Sequence, residues 1–265
     1  MHNLQEDSMN IEKNMPVLFV GHGSPMNAIE KSPAREGWKK IGKKFEKPGV
    51  ILAVSAHWAT EGTFVRTADT NRQIYDMYGF PEELYEVKYA PAGSPEYAGE
   101  VLNLLEGTAK PDNSWDIDHG VWSILCNMYP EADIPVVMIS TDVGASPEQL
   151  FETGRKLQPL RAEGAMILAS GNVVHNLRLV NWDMQDGYAW ADSFDTAILD
   201  AILSGNPSIP LGFRKIPDVQ KAVPTVEHYA PLLVALGAIS ETDSAAVFNE
   251  YRELGSMSMT SYVWE

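Results

Sequence analysis

Imidazole is the chemistry this chain can offer. Six histidines occur among 265 residues, and the five beyond His2 occupy distinctive settings. His22 stands in Val20-Gly21-His22-Gly23-Ser24-Pro25, directly after an apolar run, where two glycines let the backbone turn tightly and approach a ligand. His57 follows a second apolar run in Ser55-Ala56-His57-Trp58, and His175 follows a third through Gly171-Asn172-Val173-Val174. His119 opens a helical stretch in Asp118-His119-Gly120, where Asp118 can cap the helix. His228 lies in Glu227-His228-Tyr229, ahead of an apolar helix over 230–236. The single cysteine, Cys126, excludes an intramolecular disulfide framework and any thiolate-rich zinc or iron–sulfur site. A metal bound here must use imidazole and oxygen, which suits Zn²⁺ and Fe²⁺ alike. Three neutral ligands leave the ion doubly positive and open to water, substrate or O₂, and a fourth histidine can act either as ligand or as proton carrier. Glu227 offers a carboxylate to the metal, or merely a charge favoured at a helix start.

Other chemistries lose their signatures. Gly21-His22-Gly23 has Met26 where a dinucleotide fingerprint needs its third glycine, and no Lys-Ser or Lys-Thr follows to make a phosphate loop. No Gly-x-Ser-x-Gly elbow or His-Glu-x-x-His helix occurs. A formal charge of −16 argues against nucleic acid or an anionic membrane as partner. No apolar run approaches the roughly 18–20 residues of a membrane span. Residues 1–14 are polar and lack a signal peptide's apolar stretch, so the chain is expected in the cytoplasm. Oligomeric state is not legible.

The elements that must position these histidines follow from periodicity. Short β-branched runs at 16–20, 50–55, 134–140 and 165–170 read as buried strands. Between them, 96–105, 120–129, Pro147–Leu157 and 193–203 carry apolar residues at helical spacing. Such alternation predicts one α/β domain of three α/β/α layers around a mixed, largely parallel sheet, spanning residues 15–265 behind the polar extension 1–14. In an open sheet of this kind ligands bind beyond the carboxyl ends of the strands, where His22, His57 and His175 map. Residues 73–93, rich in aromatics and turn formers, read as a long ordered loop that could wall a site. Cys126 reads as helix core, and Arg66 and Arg178 as exposed charges.

At these residues the chain resembles the class III extradiol ring-cleavage dioxygenases of the catalytic-subunit-B type, within them the DOPA 4,5-dioxygenase branch. The landmarks run in order along nearly the whole chain: Gly21-His22-Gly23-Ser24-Pro25, Val54-Ser55-Ala56-His57-Trp58, Ile74-Tyr75-Asp76-Met77-Tyr78-Gly79-Phe80-Pro81, Tyr89-Ala90-Pro91, Asp118-His119-Gly120, Ser170-Gly171-Asn172-Val173-Val174-His175-Asn176, Glu227-His228-Tyr229 and Gly255-Ser256-Met257-Ser258-Met259. The resemblance implies a metal-dependent opening of a DOPA-like catechol ring by O₂ to a semialdehyde. It implies one divalent ion, Fe²⁺ for ring cleavage or Zn²⁺ as commonly bound. His22, His57 and His228 would be ligands. His175 would be the acid/base residue, close enough to the metal to count as a ligand too, and His119 a catalytic neighbour or substrate contact. Lignin-degrading members of the wider superfamily use two histidines and a glutamate, and His228 here replaces that glutamate. Tyr75, Tyr78, Phe80 and Trp58 are expected to wall the substrate ring. Two other readings use the same residues: a Zn²⁺ hydrolase, and a metal- or partner-binding protein without turnover.

Overall fold

Period-two alternation builds the core. The structure, a computed structural model, describes residues 14–265, so the polar extension expected at 1–14 lies outside the described residues except for its last position. Strand β1 (Val17–Gly21) sends Val17 and Phe19 to one apolar cluster and Leu18 and Val20 to a second. Strand β2 (Val50–Thr60) does the same, with Val50, Leu52 and Val54 on the first side and Ile51 and Ala53 on the other. Strands buried on both faces need apolar residues at every position, which is why these runs are continuous.

The remaining strands are β3 (Thr63–Val65), β4 (Ala109–Pro111), β5 (Val136–Asp142), β6 (Ala165–Gly171), β7 (Ala245–Phe248), β8 (Arg252–Glu253), β9 (Met257–Ser258) and β10 (Ser261–Trp264). Eight of them form one sheet in the order β4-β3-β5-β2-β6-β1-β10-β7, while β8 and β9 make a small hairpin. The centre, β5-β2-β6-β1, is parallel throughout, and antiparallel pairing enters only at β3–β5, β1–β10 and β10–β7.

Helices α1 (Pro33–Gly42), through Trp38, and α4 (His119–Met128), through Trp122, cover one face. Between them in sequence lie α2 (Glu82–Glu86), a single turn inside the 73–93 loop, and α3 (Pro95–Leu104). The opposite face is covered by α3, α5 (Pro147–Leu157), α6 (Ala189–Leu203) and, beyond the short turns α7 (Ser208–Leu211) and α8 (Val219–Ala222), α9 (Ala230–Ala238). The result is the three-layer α/β/α domain expected. Among the described residues no helix is long and apolar enough to cross a membrane.

Two boundaries matter for the site. Strand β2 does not stop before His57 but runs on to Thr60, its pairing with β5 breaking between Ser55 and Ala59. This bulge turns His57 out of the ladder, a device that re-aims side chains next to active sites. Helix α4 begins at His119 itself.

Candidate metal centre

Because β2, β6 and β1 are parallel neighbours, their carboxyl ends open onto one edge of the sheet. His22 immediately follows β1, His57 rides the bulge of β2, and His175 lies four residues past β6. The chain before α9 crosses the same edge: the His228 carbonyl accepts the Asn172 amide at 2.9 Å, directly beyond β6. Gly171 makes this approach possible, since a Cβ there would lie 2.2 Å from the His228 oxygen. His119 comes from the far face, at the first turn of α4. All five histidines sought in the sequence therefore meet.

Hydrogen bonds fix which nitrogen each ring presents. The Ser170 hydroxyl donates to the Gly120 carbonyl at 2.5 Å and is left to accept from His22 Nδ1 at 2.9 Å, so the His22 Nε2 lone pair is free. His57 Nδ1 lies 3.0 Å and His119 Nδ1 2.9 Å from Asp76 Oδ2, a carboxylate oxygen that can only accept. His22 Nε2 and His57 Nε2 then face each other at 3.1 Å. Two lone pairs at that distance repel unless a proton or a metal ion stands between them, and two imidazoles bound to one zinc- or iron-like ion at about 2.0–2.1 Å hold their nitrogens roughly 2.9–3.4 Å apart. The donor set fits a divalent metal.

Two histidines compete to be its third partner. Ligand atoms of His22, His57 and His119 all lie within 4.8 Å of one another. His228, by contrast, has both ring nitrogens buried without a hydrogen-bond partner, its Nδ1 standing 3.4 Å from Glu227 Oε1. Rings sharing one ion through a single nitrogen each have centres about 4.5–5.3 Å apart. The observed separations are 4.9 Å for His22–His57, 5.3 Å for His22–His228 and 5.2 Å for His57–His228. His119 lies 4.0 Å from His57 and 5.8 Å from His22. His175 stacks on His228 with centroids 3.6 Å apart and planes 4° from parallel, and no described residue hydrogen-bonds its ring.

Burial sets the charge. It holds His22 well below the usual imidazole range, with the His57 and His228 rings adding to the effect. It brings His228 down to about 4 against the pull of Glu227, and His175 down to about 2 with help from His228. All three are neutral at neutral pH, as metal ligands must be. Burial would also lower His57, but the Asp76 hydrogen bond and the Asp118 charge raise it. Asp76 is held far below the carboxylate range although burial alone would raise it, because His119 and His57 both donate to it.

The aromatics expected to wall a ring differ in burial. Trp58 is 3% exposed within the core cluster that α4 covers. The Tyr75 hydroxyl is tied to the Tyr85 and Val87 carbonyls at 2.9 and 2.7 Å, and Phe80 leans on the same cluster. Tyr78 is 92% exposed. Asp118 does not cap α4: its carboxylate takes the Ser55 hydroxyl and the Trp115 indole, and Asp76 instead accepts the His119 amide at 2.8 Å. Arg66 is buried rather than exposed, paired with Asp116 at 2.6 Å, whereas Arg178 is exposed. Cys126 is half-buried in α4, its thiol pushed up to about 12 by burial. Sequence reasoning missed Asp76 and Ser170. Asp76 carried a signal, an acid set among Tyr75, Met77 and Tyr78 in a loop, but nothing local ties it to His57 or His119.

A three-layer α/β enzyme with an imidazole-built site for one divalent ion is the class that fold and site define. Residues 16–264 match the family described as the catalytic LigB subunit of aromatic ring-opening dioxygenase. The chain belongs to that family, the class III extradiol dioxygenases, and so opens an aromatic ring of a small molecule with O₂. It is 40% identical to the 4,5-DOPA dioxygenase extradiol of Escherichia coli K12 over 98% of both chains. It is 38% identical to the same-named enzyme of Beta vulgaris over 92% of this chain and 94% of that one. The crystal structure of an uncharacterized Escherichia coli K12 protein superposes with a TM-score of 0.82 at 38% identity, covering 94% of this chain and 99% of the other. Family membership sets aside the hydrolase and the binding protein that the histidines alone left open.

Proposed function

We propose that the substrate is a DOPA-like catechol and that Fe²⁺, held by His22, His57 and His228, is the working metal, with Zn²⁺ the ion that can also occupy the site. The observation that carries this reading is the 3.1 Å approach of two Nε2 atoms whose Nδ1 partners are both committed elsewhere. The substrate class is supported by relatives named 4,5-DOPA dioxygenase extradiol at 33–40% identity. Held by these residues, Fe²⁺ would supply the redox chemistry that lets a catechol react with O₂, so that the ring opens beside the hydroxyl pair and both oxygen atoms enter the semialdehyde product.

The chain's own residues do the rest. His175, neutral and with no hydrogen bond to its ring among the described residues, accepts the catechol proton and returns it as the ring opens. Its stack on His228 holds it at the edge of the metal-binding set without using its nitrogens. His119, oriented by Asp76, presents Nε2 beside His57 as a contact for substrate. Residues 73–93 supply the wall, with Tyr78 its exposed aromatic. One cysteine and a readily oxidised ion both suit a reducing cytoplasm.

The test is anaerobic loading with Fe²⁺, then DOPA and O₂. A yellow product with one O₂ consumed per ring is expected. Well-loaded protein that takes up no oxygen with DOPA or any simple catechol sinks the reading.

A further inference from the structure

Asp76 is the only acid whose carboxylate touches two of the converging imidazoles among the described residues. One oxygen, Oδ2, lies 3.0 Å from His57 Nδ1 and 2.9 Å from His119 Nδ1, while Oδ1 accepts the His119 backbone amide at 2.8 Å. Three donors from two different elements, the β2 bulge and the first turn of α4, therefore converge on a side chain borne by a third, the loop 73–93. That loop is pinned on both sides of Asp76. The Tyr75 hydroxyl bonds two backbone carbonyls, and Met77 packs into the core beneath α4. The carboxylate is 10% exposed, so water offers these histidines little alternative.

We propose that Asp76 is the positioning residue of the metal centre: it holds His57 and His119 as their Nδ1–H tautomers, turning both Nε2 lone pairs into the site. The inference rests on the metal site proposed above. A neutral histidine side chain in water prefers the opposite tautomer, with its proton on Nε2, and His57 in that form would point a hydrogen at His22 Nε2 where a metal must sit. A carboxylate behind a ligating histidine also raises its basicity, and losing such a partner typically costs ten- to a hundred-fold in metal affinity. The side chain that orients the ligand is carried by the segment proposed to wall the substrate, so the loop and the metal centre form one unit.

The experiment compares wild type with Asp76→Asn, a substitution of equal size that replaces one accepting oxygen by an NH₂ donor. Metal-stripped full-length protein is titrated with Co²⁺ against a competing chelator, following visible absorption, with a thermal melt of each metal-free protein alongside. Co²⁺ affinity is expected to fall roughly ten- to a hundred-fold with an altered spectrum. A variant that melts lower yet binds Co²⁺ like wild type overturns the inference and leaves Asp76 as a helix cap. If wild type itself binds no Co²⁺, the proposed metal centre falls too, which separates the two failures. Should the variant not fold, imidazole nitrogen NMR of metal-free wild type at alkaline pH decides. Nδ1–H on His57 and His119 supports the inference, and Nε2–H on His57 overturns it.

Discussion

The ring of His175 lies flat on that of His228, centroids 3.6 Å apart and planes 4° from parallel. The stack couples the proposed proton carrier to a proposed ligand while leaving the carrier's nitrogens unbonded. His175→Phe keeps the stack and removes the acceptor. The variant should retain stoichiometric metal and bind catechol while kcat falls about 10²- to 10⁴-fold. Metal loss matching the fall in kcat would make His175 a ligand instead.

The choice between His228 and His119 as third ligand is decided by metal content. His22→Ala, His57→Ala and His228→Ala should each abolish stoichiometric Fe²⁺ or Zn²⁺ after gel filtration, while His119→Ala retains the ion at reduced affinity. Full occupancy in the His228 variant removes it from the set. Complete loss in the His119 variant puts His119 there.

Acid should destabilise the metal-free fold. His22, His228 and His175 all have folded pKa values below the imidazole value of 6.5, the last two at about 4 and about 2. Below 6.5 the unfolded chain takes up protons that the native state refuses, so stability is full above that pH and is lost as pH falls. His57, raised by Asp76, acts only above 6.5 and in the opposite sense. Between about pH 7 and about pH 5 the slope approaches roughly 1.4 kcal/mol per pH unit for each of the three groups. The urea midpoint of chelator-treated protein should drop steeply there, and a flat or rising midpoint contradicts burial of neutral rings.

Gly171→Ala tests the junction that delivers His228. Its Cβ would meet the His228 carbonyl oxygen at 2.2 Å, backbone that cannot swing aside. Overpacking should cost about 1–3 kcal/mol, and the displaced loop should weaken metal binding as well. Unchanged metal affinity would show that His228 is positioned independently of β6.

Tyr78→Ala probes the loop wall. At 92% exposure the residue contributes little to folding, so stability should stay within about 0.5 kcal/mol. A higher KM for catechol at unchanged kcat is expected, and unaltered kinetics would place Tyr78 outside the substrate's reach. Trp58→Ala, with its 3% exposure, should instead cost roughly 3–5 kcal/mol of stability.

Much of this protein is written locally. The continuous apolar runs at 16–20 and 165–170 had to be central strands, because only burial on both faces favours such runs, and parallel strands put the residues after them on one edge. His22 and His175 could thus be placed from the chain alone, and the ordered motifs named the family. Tertiary structure decided what local pattern does not encode. The bulge that turns His57 outward depends on β2's pairing with β5. The burial of Arg66 depends on Asp116, fifty residues away in the chain. Above all, Asp76 and Ser170 set which imidazole nitrogen faces the site, and each does so from a position distant in the chain. A tautomer is chosen by whichever acceptor folding brings within hydrogen-bond reach, so residue types and spacing determined that imidazoles would gather, while the folded chain determined how they are aimed.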